Sequence, residues 1–84
     1  MRFLAKVHVT LKPGVLDPQG KAVGGALRNL GYAQVGEVRI GKYIEVTLEA
    51  ESQELAQAQV REMAQRLLAN PVLENYRVEV VPAP

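Results

Sequence analysis

The run LKPGVLDPQGK, residues 11–21, joins a strand to a helix. Its Pro13-Gly14 pair is a turn dipeptide, because proline fixes φ and glycine tolerates positive φ. Asp17 is suited to cap the N-terminus of the next helix with its carboxylate. Pro18 then takes the first helical position, where a missing N–H costs nothing. The run therefore predicts a well-capped connector between a strand and a helix.

The segments on either side of this run are periodic. Before it, apolar side chains recur at every second position, which predicts a half-buried strand. These residues are Phe3, Ala5, Val7, Val9 and Leu11. After it, a helix that begins at Asp17 would carry one apolar stripe. The stripe consists of Val23, Ala26, Leu27 and Leu30. Gly31 stands where such a helix needs its C′ residue.

The second half of the chain predicts two strands and a helix. The strands are residues 35–40 and 43–50, joined at Gly41-Lys42 by a hairpin turn of type II′. A second helix begins after the N-cap Ser52 and ends at Asn70-Pro71, since the residue before proline is pushed out of helical space. The predicted buried stripe of this helix is Ala56, Val60, Met63, Ala64 and Leu67.

A last strand, with apolar residues at 76, 78 and 80, completes the order βαββαβ. This order predicts an α+β, ferredoxin-like fold of one domain, residues 1–84, with both helices on one face of a four-stranded antiparallel sheet. The other face stays open, and Leu4 would lie on it among polar side chains. Copies of the chain are expected to associate as a dimer or higher oligomer, and a small monomer with a solvated sheet is the alternative.

Size and composition agree with an associating cytoplasmic protein. A chain of 84 residues has a marginal core, and without cysteine it has neither disulfides nor thiolate metal sites as supports. Oligomerisation is therefore the expected support. The net charge of +1 gives no strong attraction to nucleic acid or anionic lipid. The sequence has no apolar signal-peptide core and no apolar run of membrane length.

Catalytic and ligand-binding patterns are almost absent. The single histidine, His8, falls on the polar face of a predicted strand, and no cluster of histidines and carboxylates has metal-ligand spacing. A Gly-x5-Gly-Lys spacing runs from Gly14 to Lys21, but Ala22 replaces the hydroxyl residue of a phosphate loop. Nucleic-acid binding on the sheet would need exposed aromatic residues, and Tyr43 is the one candidate ring. No catalytic or metal-binding residue is predicted.

Three glycines fall inside the first predicted helix, at Gly20, Gly24 and Gly25. Each costs about 1 kcal/mol relative to alanine in a helix interior. Gly24 and Gly25 lie away from the apolar stripe, near Lys21 and Arg28. They either permit the close approach of a neighbouring backbone or are simply tolerated.

Three segments resemble the PurS family, the small subunit of phosphoribosylformylglycinamidine synthase in purine biosynthesis. They are LKPGVLDPQGKA at 11–22, VRIGKYIE at 38–45 and LANPVLENY at 68–76. The resemblance spans the whole chain, and its first segment is long and specific.

The resemblance implies a small protein without an active site of its own. Its partners would be a large ATP-binding synthase subunit (PurL) and a glutamine amidotransferase subunit (PurQ). The assembly is a carbon-nitrogen ligase that converts formylglycinamide ribonucleotide, ATP, glutamine and water to formylglycinamidine ribonucleotide, ADP, phosphate and glutamate. The family protein is a dimer that bridges the two enzymes and supports ammonia transfer. ATP and Mg belong to the synthase subunit, and this chain is expected to bind no cofactor. A stand-alone, ACT-like module that binds a small regulatory ligand is the alternative from another class.

Partner contacts are predicted on the connector 12–21 and on the hairpin around Gly41, because both combine cations with glycines that let a partner approach. The predicted contact residues are Lys12, Gly14, Lys21, Gly24, Gly25, Arg39, Gly41 and Lys42. The four cations would pair with carboxylates or bound phosphate on the larger subunits. Asp17 and Pro18 would act through helix capping. A connector without any recognition role is the alternative for these residues.

Overall fold

A computed structural model describes residues 1–84, the whole chain. Its elements are strand β1 (Arg2–Leu11), helix α1 (Pro18–Asn29), strand β2 (Gly41–Glu49), helix α2 (Gln53–Met63), a π-helical turn (Ala64–Leu68) that continues α2, and strand β3 (Glu74–Pro82). The strands form one antiparallel sheet in the order β2-β1-β3. The chain is an α+β protein with two helices, and its sheet has three strands. No helix is both long and apolar enough to cross a membrane.

The core lies between one face of this sheet and α2. The predicted alternation of β1 is confirmed, because Phe3, Ala5, Val7 and Val9 are all buried. Helix α2 packs on β1 and β3 and buries Ala56, Val60 and Ala64. The N-cap of α2 is also confirmed, since the Ser52 hydroxyl accepts a hydrogen bond from the Leu55 N–H at 3.2 Å.

The opposite face of the sheet is polar and balanced in charge. Lys6 on β1 lies between Glu45 of β2 and Glu79 of β3 in the strand register. Two residues further along β1, His8 lies opposite Tyr43 of β2, and the centroids of their rings are 5.0 Å apart. Opposite charges and aromatic pairs across neighbouring strands stabilise a sheet, so this face needs no cover of its own.

The prediction of a fourth strand is wrong. Residues 35–40 have no regular secondary structure and pair with no strand, and β2 begins directly at Gly41 without the predicted hairpin. The segment lies along α1 instead. The Arg28 guanidinium donates hydrogen bonds to the carbonyl oxygens of Val35 and Gly36, at 3.3 and 3.2 Å. These carbonyls are therefore satisfied by a helix side chain rather than by a sheet partner.

The caps of α1 are as predicted, but its position is not. Pro18 is the first helical residue, and Gly31 follows the C-cap with φ +108°. The expectation that both helices cover the sheet is wrong for α1, which makes only slight contact with the strands. The predicted buried stripe of α1 is largely exposed, with Val23 at 40% and Leu30 at 75%. The chain is consequently long and flat, with extents of 50 × 30 × 14 Å.

The C-terminal turn of α2 departs from the predicted stripe. Met63 is 37% exposed and Leu67 is 82% exposed, although both were predicted to be buried. Leu67 lies in the π-helical turn, in which the Ala69 N–H donates to the carbonyl of Ala64 at 2.9 Å. A π turn holds an extra residue, so it rotates Leu67 away from the core and brings Ala69 into it.

Candidate protein-contact site

Two segments of the chain meet at the base of α1. They are the connector 12–21 and residues 35–40, called the return segment here. Asp17 joins them. One of its carboxylate oxygens accepts a hydrogen bond from the Gly20 N–H at 2.9 Å, and the other accepts from the Ile40 N–H at 2.8 Å. The residue predicted as a helix cap thus also fixes the start of β2 to the start of α1.

The hydrogen bonds lower the pKa of Asp17 below its usual value. The bond from Ile40 contributes most, the bond from Gly20 comes next, and the charge of Arg39 adds to them, while partial desolvation acts in the opposite direction. Hydrogen bonds to the ionised form favour that form. The folded protein therefore holds this carboxylate ionised more firmly than the unfolded chain does.

We expect Asp17→Ala to lower the melting temperature at pH 7 by a few degrees, because the cap and the link to Ile40 are both lost. The folded pKa is depressed, so the contribution is present above the unfolded value of about 3.9 and is lost as the pH falls through the folded pKa. Thermal melts from pH 7 to pH 2 should show the difference from wild type shrinking in acid. Glu51→Ala, at an exposed carboxylate, is the control. A pH-independent difference would contradict this role.

Arg39 holds the same two segments together from the other side. Its guanidinium donates hydrogen bonds to the carbonyl oxygens of Leu11 and Lys12 and forms an ion pair with Glu37 at 3.5 Å. The predicted contact cation Arg39 is thus engaged within the chain, and a partner would meet it as part of a fixed surface.

The other predicted cations differ in their surroundings. The Lys42 ammonium donates to the carbonyl of Leu68 at 3.2 Å and lies 4.0 Å from the Glu74 carboxylate. The side-chain amines of Lys12 and Lys21 have no hydrogen-bond or ion-pair partner. Lys21 is exposed and lines a shallow cleft of about 280 Å³ with Gly14, Val15, Leu16, Asp17, Glu37, Val38 and Arg39. Of the four predicted contact cations, Lys12 and Lys21 are therefore the two without a partner in the chain.

The predicted contact glycines fall into two groups. Gly24 is buried against the Val38 side chain, and a Cβ at Gly41 would clash with the carbonyl oxygen of Val9. These two serve close packing inside the chain. Gly14, which has φ +88°, and Gly25 face open space. Of the four predicted contact glycines, only Gly14 and Gly25 leave room for the close approach of another chain.

The sequence did not predict an apolar groove beside α2. It has a volume of about 580 Å³ and is lined by Leu48, Glu49, Gln59, Glu62, Met63, Arg66 and Leu67. Met63 and Leu67 could have indicated this groove, but their spacing placed both in the predicted buried stripe of the helix. No group of three or more histidine, cysteine or carboxylate side chains could hold a metal ion.

Residues 4–82 match the family model PurS, described as phosphoribosylformylglycinamidine (FGAM) synthase. The chain belongs to the PurS family. The Synechocystis relative, phosphoribosylformylglycinamidine synthase subunit PurS, is 53% identical over 78 residues, which cover 93% of this chain and 78% of the relative. The solved PurS of Thermus thermophilus has a TM-score of 0.89 at 44% identity, with both chains covered completely.

A chain of the solved PurLQS structure from Thermotoga maritima is also similar. Its TM-score is 0.88 at 33% identity, and the match covers 96% of this chain and 99% of that one. PurS family members are subunits of FGAM synthase, a ligase complex of purine biosynthesis, and this chain is such a subunit. The predicted family and the predicted general function are confirmed.

Proposed function

We propose that the chain is the non-catalytic subunit that bridges the PurL-type synthase and the PurQ-type glutamine amidotransferase of FGAM synthase. The observation that carries this proposal is the similarity over nearly its whole length to a chain of a PurLQS structure. The flat, 50 Å long shape supports it, because such a shape has separate surfaces for two partners. ATP and Mg bind to the synthase subunit in this scheme, and the assembly works in the cytoplasm.

The bridge would support ammonia transfer by keeping the amidotransferase close to the synthase. Ammonia released in free solution is diluted, whereas partners held in one assembly have a high effective concentration for each other. The contribution of this chain is then its contacts rather than any chemical step.

The connector at the base of α1 is the proposed partner contact. Lys12 and Lys21 supply free ammonium groups, and Gly14 lets a partner backbone come close. Asp17 and Arg39 hold this surface in one shape, which lowers the conformational entropy lost on binding. The natural complement is a carboxylate or a bound phosphate on a larger subunit.

The chain is also proposed to act as a homo-oligomer, most simply a dimer. Only 11 of the 84 residues are buried, and a domain of this size has a marginal core. Association with another copy would supply that cover.

Size-exclusion chromatography with light scattering tests the bridge. PurL and PurQ from one source should co-elute when this chain is present and should separate without it. We expect Lys21→Ala to weaken the complex most at low salt. Added salt should shrink the difference from wild type, because it screens the attraction that the lysine supplies. Arg61→Ala removes an exposed cation from α2 and serves as the matched control. Equal complex formation by both variants at low salt would contradict a contact at the connector.

A further inference from the structure

A tight turn, residues 70–73, leads from the π-helical turn to β3 and is called the NPVL turn here after its sequence. The Asn70 N–H donates to the Glu74 carboxylate at 2.7 Å, and the Val72 N–H donates to the side-chain oxygen of Asn70 at 3.0 Å. The Leu73 N–H donates to the Asn70 carbonyl at 3.1 Å. Since the proline has no N–H, every backbone donor of the turn is hydrogen-bonded, and the turn is held in one shape.

Other parts of the chain hold the NPVL turn from outside. The Lys42 ammonium donates to the carbonyl of Leu68, before the turn, at 3.2 Å and lies 4.0 Å from the carboxylate of Glu74, after it. The Lys12 N–H donates to the Leu73 carbonyl at 2.9 Å, which joins the turn to the connector. The connector and the NPVL turn therefore form one continuous end of the molecule.

This rigid turn presents apolar side chains to solvent. Pro71, Val72 and Leu73 are consecutive, and all three are exposed. Val72 is 77% exposed and Leu73 is 45% exposed. Turn tips are usually built from polar residues and glycine, and a run of exposed apolar residues adds nothing to the stability of its own chain. Such a run on an ordered backbone indicates a surface that another protein covers.

A free positive charge lies beside the apolar tip. Lys12 and Pro71 line one shallow cleft of about 260 Å³. Its other lining residues are Gln65, Glu74, Asn75 and Tyr76. The Glu74 carboxylate already has two partners within the chain, whereas the ammonium of Lys12 has none. The charge that this cleft can still pair is positive, so its complement on a partner is a carboxylate.

We propose that the NPVL turn inserts into an apolar pocket, with carboxylates at its rim, on the same larger subunit that the connector contacts. Val72 and Leu73 would fill the pocket, and Lys12 would pair with a carboxylate of the rim. Because the turn is ordered before binding, little conformational entropy is lost when it docks, and a few residues can dominate the interface. The inference rests on the proposed bridging function and adds a second contact, outside the connector.

Val72→Asp tests the insertion. The Val72 side chain is mostly in water, so the variant should keep the melting temperature of the wild type. Biolayer interferometry of the immobilised chain with PurL, with PurQ and with both should show a dissociation constant raised roughly tenfold or more. Leu55→Asp removes a 49% exposed leucine from α2 and is the matched control, which should bind as the wild type does. Equal binding by Val72→Asp and the wild type would overturn the insertion.

Val72→Lys separates the pocket from its rim. It removes the same apolar contact but is attracted to carboxylates, so at low salt it should weaken binding less than Val72→Asp does. Equal losses at low salt would overturn the acidic rim.

Two further outcomes distinguish this inference from the bridging function. Loss of self-association by Val72→Asp in analytical ultracentrifugation would place the turn between copies of this chain and overturn the inference, with the bridge left intact. A wild-type chain that binds neither PurL nor PurQ would overturn the bridging function itself.

Discussion

Gly20→Ala is expected to lower the free energy of unfolding by about 1–3 kcal/mol, the usual range for an overpacked interior site. A Cβ at this position would clash with the carbonyl oxygen of Val38 and with the Asp17 carboxylate. Neither can simply move aside, because Asp17 accepts hydrogen bonds from Gly20 and Ile40 and thereby fixes the return segment. The substitution should therefore loosen the whole base of α1.

Gly25→Ala is the matched control, five residues further along the same helix. Its Cβ would meet nothing within 4 Å. Alanine restricts the unfolded chain and has a better helix propensity, so this variant should gain about 0.5–1 kcal/mol. Urea denaturation at one protein concentration measures both, and the midpoints should move in opposite directions with unchanged slopes. Equal effects of the two variants would contradict the packing of α1 on residues 35–40.

The local parts of the fold could be predicted from the sequence because their causes lie within a few residues. Strict alternation fixed the buried face of β1, and the side chains of Asp17 and Ser52 marked two helix starts through hydrogen bonds to N–H groups three residues on. The end of α2 near Asn70-Pro71 follows from the steric effect of proline in the same way.

The errors concern contacts between distant segments. Residues 35–40 have a strand-like pattern, but Arg28 and the small face around Gly20 hold them along α1 instead of in the sheet. The apolar stripe of α1 favours a place against the sheet, but Val23 and Leu30 are exposed, because periodicity does not say where a helix packs. The π turn after Met63 could not be predicted, because the spacing of apolar residues there is the same as in a regular α-helix.

The sequence predicts only part of the geometry at the base of α1. The run 11–21 and Asp17 stand out by composition and capping, and the free Lys21 lies there. The second hydrogen bond of Asp17 to Ile40 joins residues 23 positions apart, and Arg39 reaches back 28 positions to Leu11. Such hydrogen bonds depend on the tertiary fold, so no local sequence pattern predicts them.

The proposed bridging role in FGAM synthase predicts a large effect on the glutamine-dependent reaction and a small effect on the ammonium-dependent one. With glutamine as the nitrogen source, ammonia must pass from the amidotransferase to the synthase, so omission of the chain should lower turnover roughly tenfold or more through the lost effective concentration. With ammonium chloride in excess, transfer between subunits is bypassed, and the same omission should matter much less.

The most direct test is the rate of formylglycinamidine ribonucleotide formation by purified PurL and PurQ, with glutamine, ATP and Mg, with and without this chain. We predict that glutamine-dependent turnover is near background without the chain and rises to a plateau as it is added. The ammonium-fed rate of the same mixture is the internal control. Full glutamine-dependent turnover in the absence of the chain would contradict the bridging function.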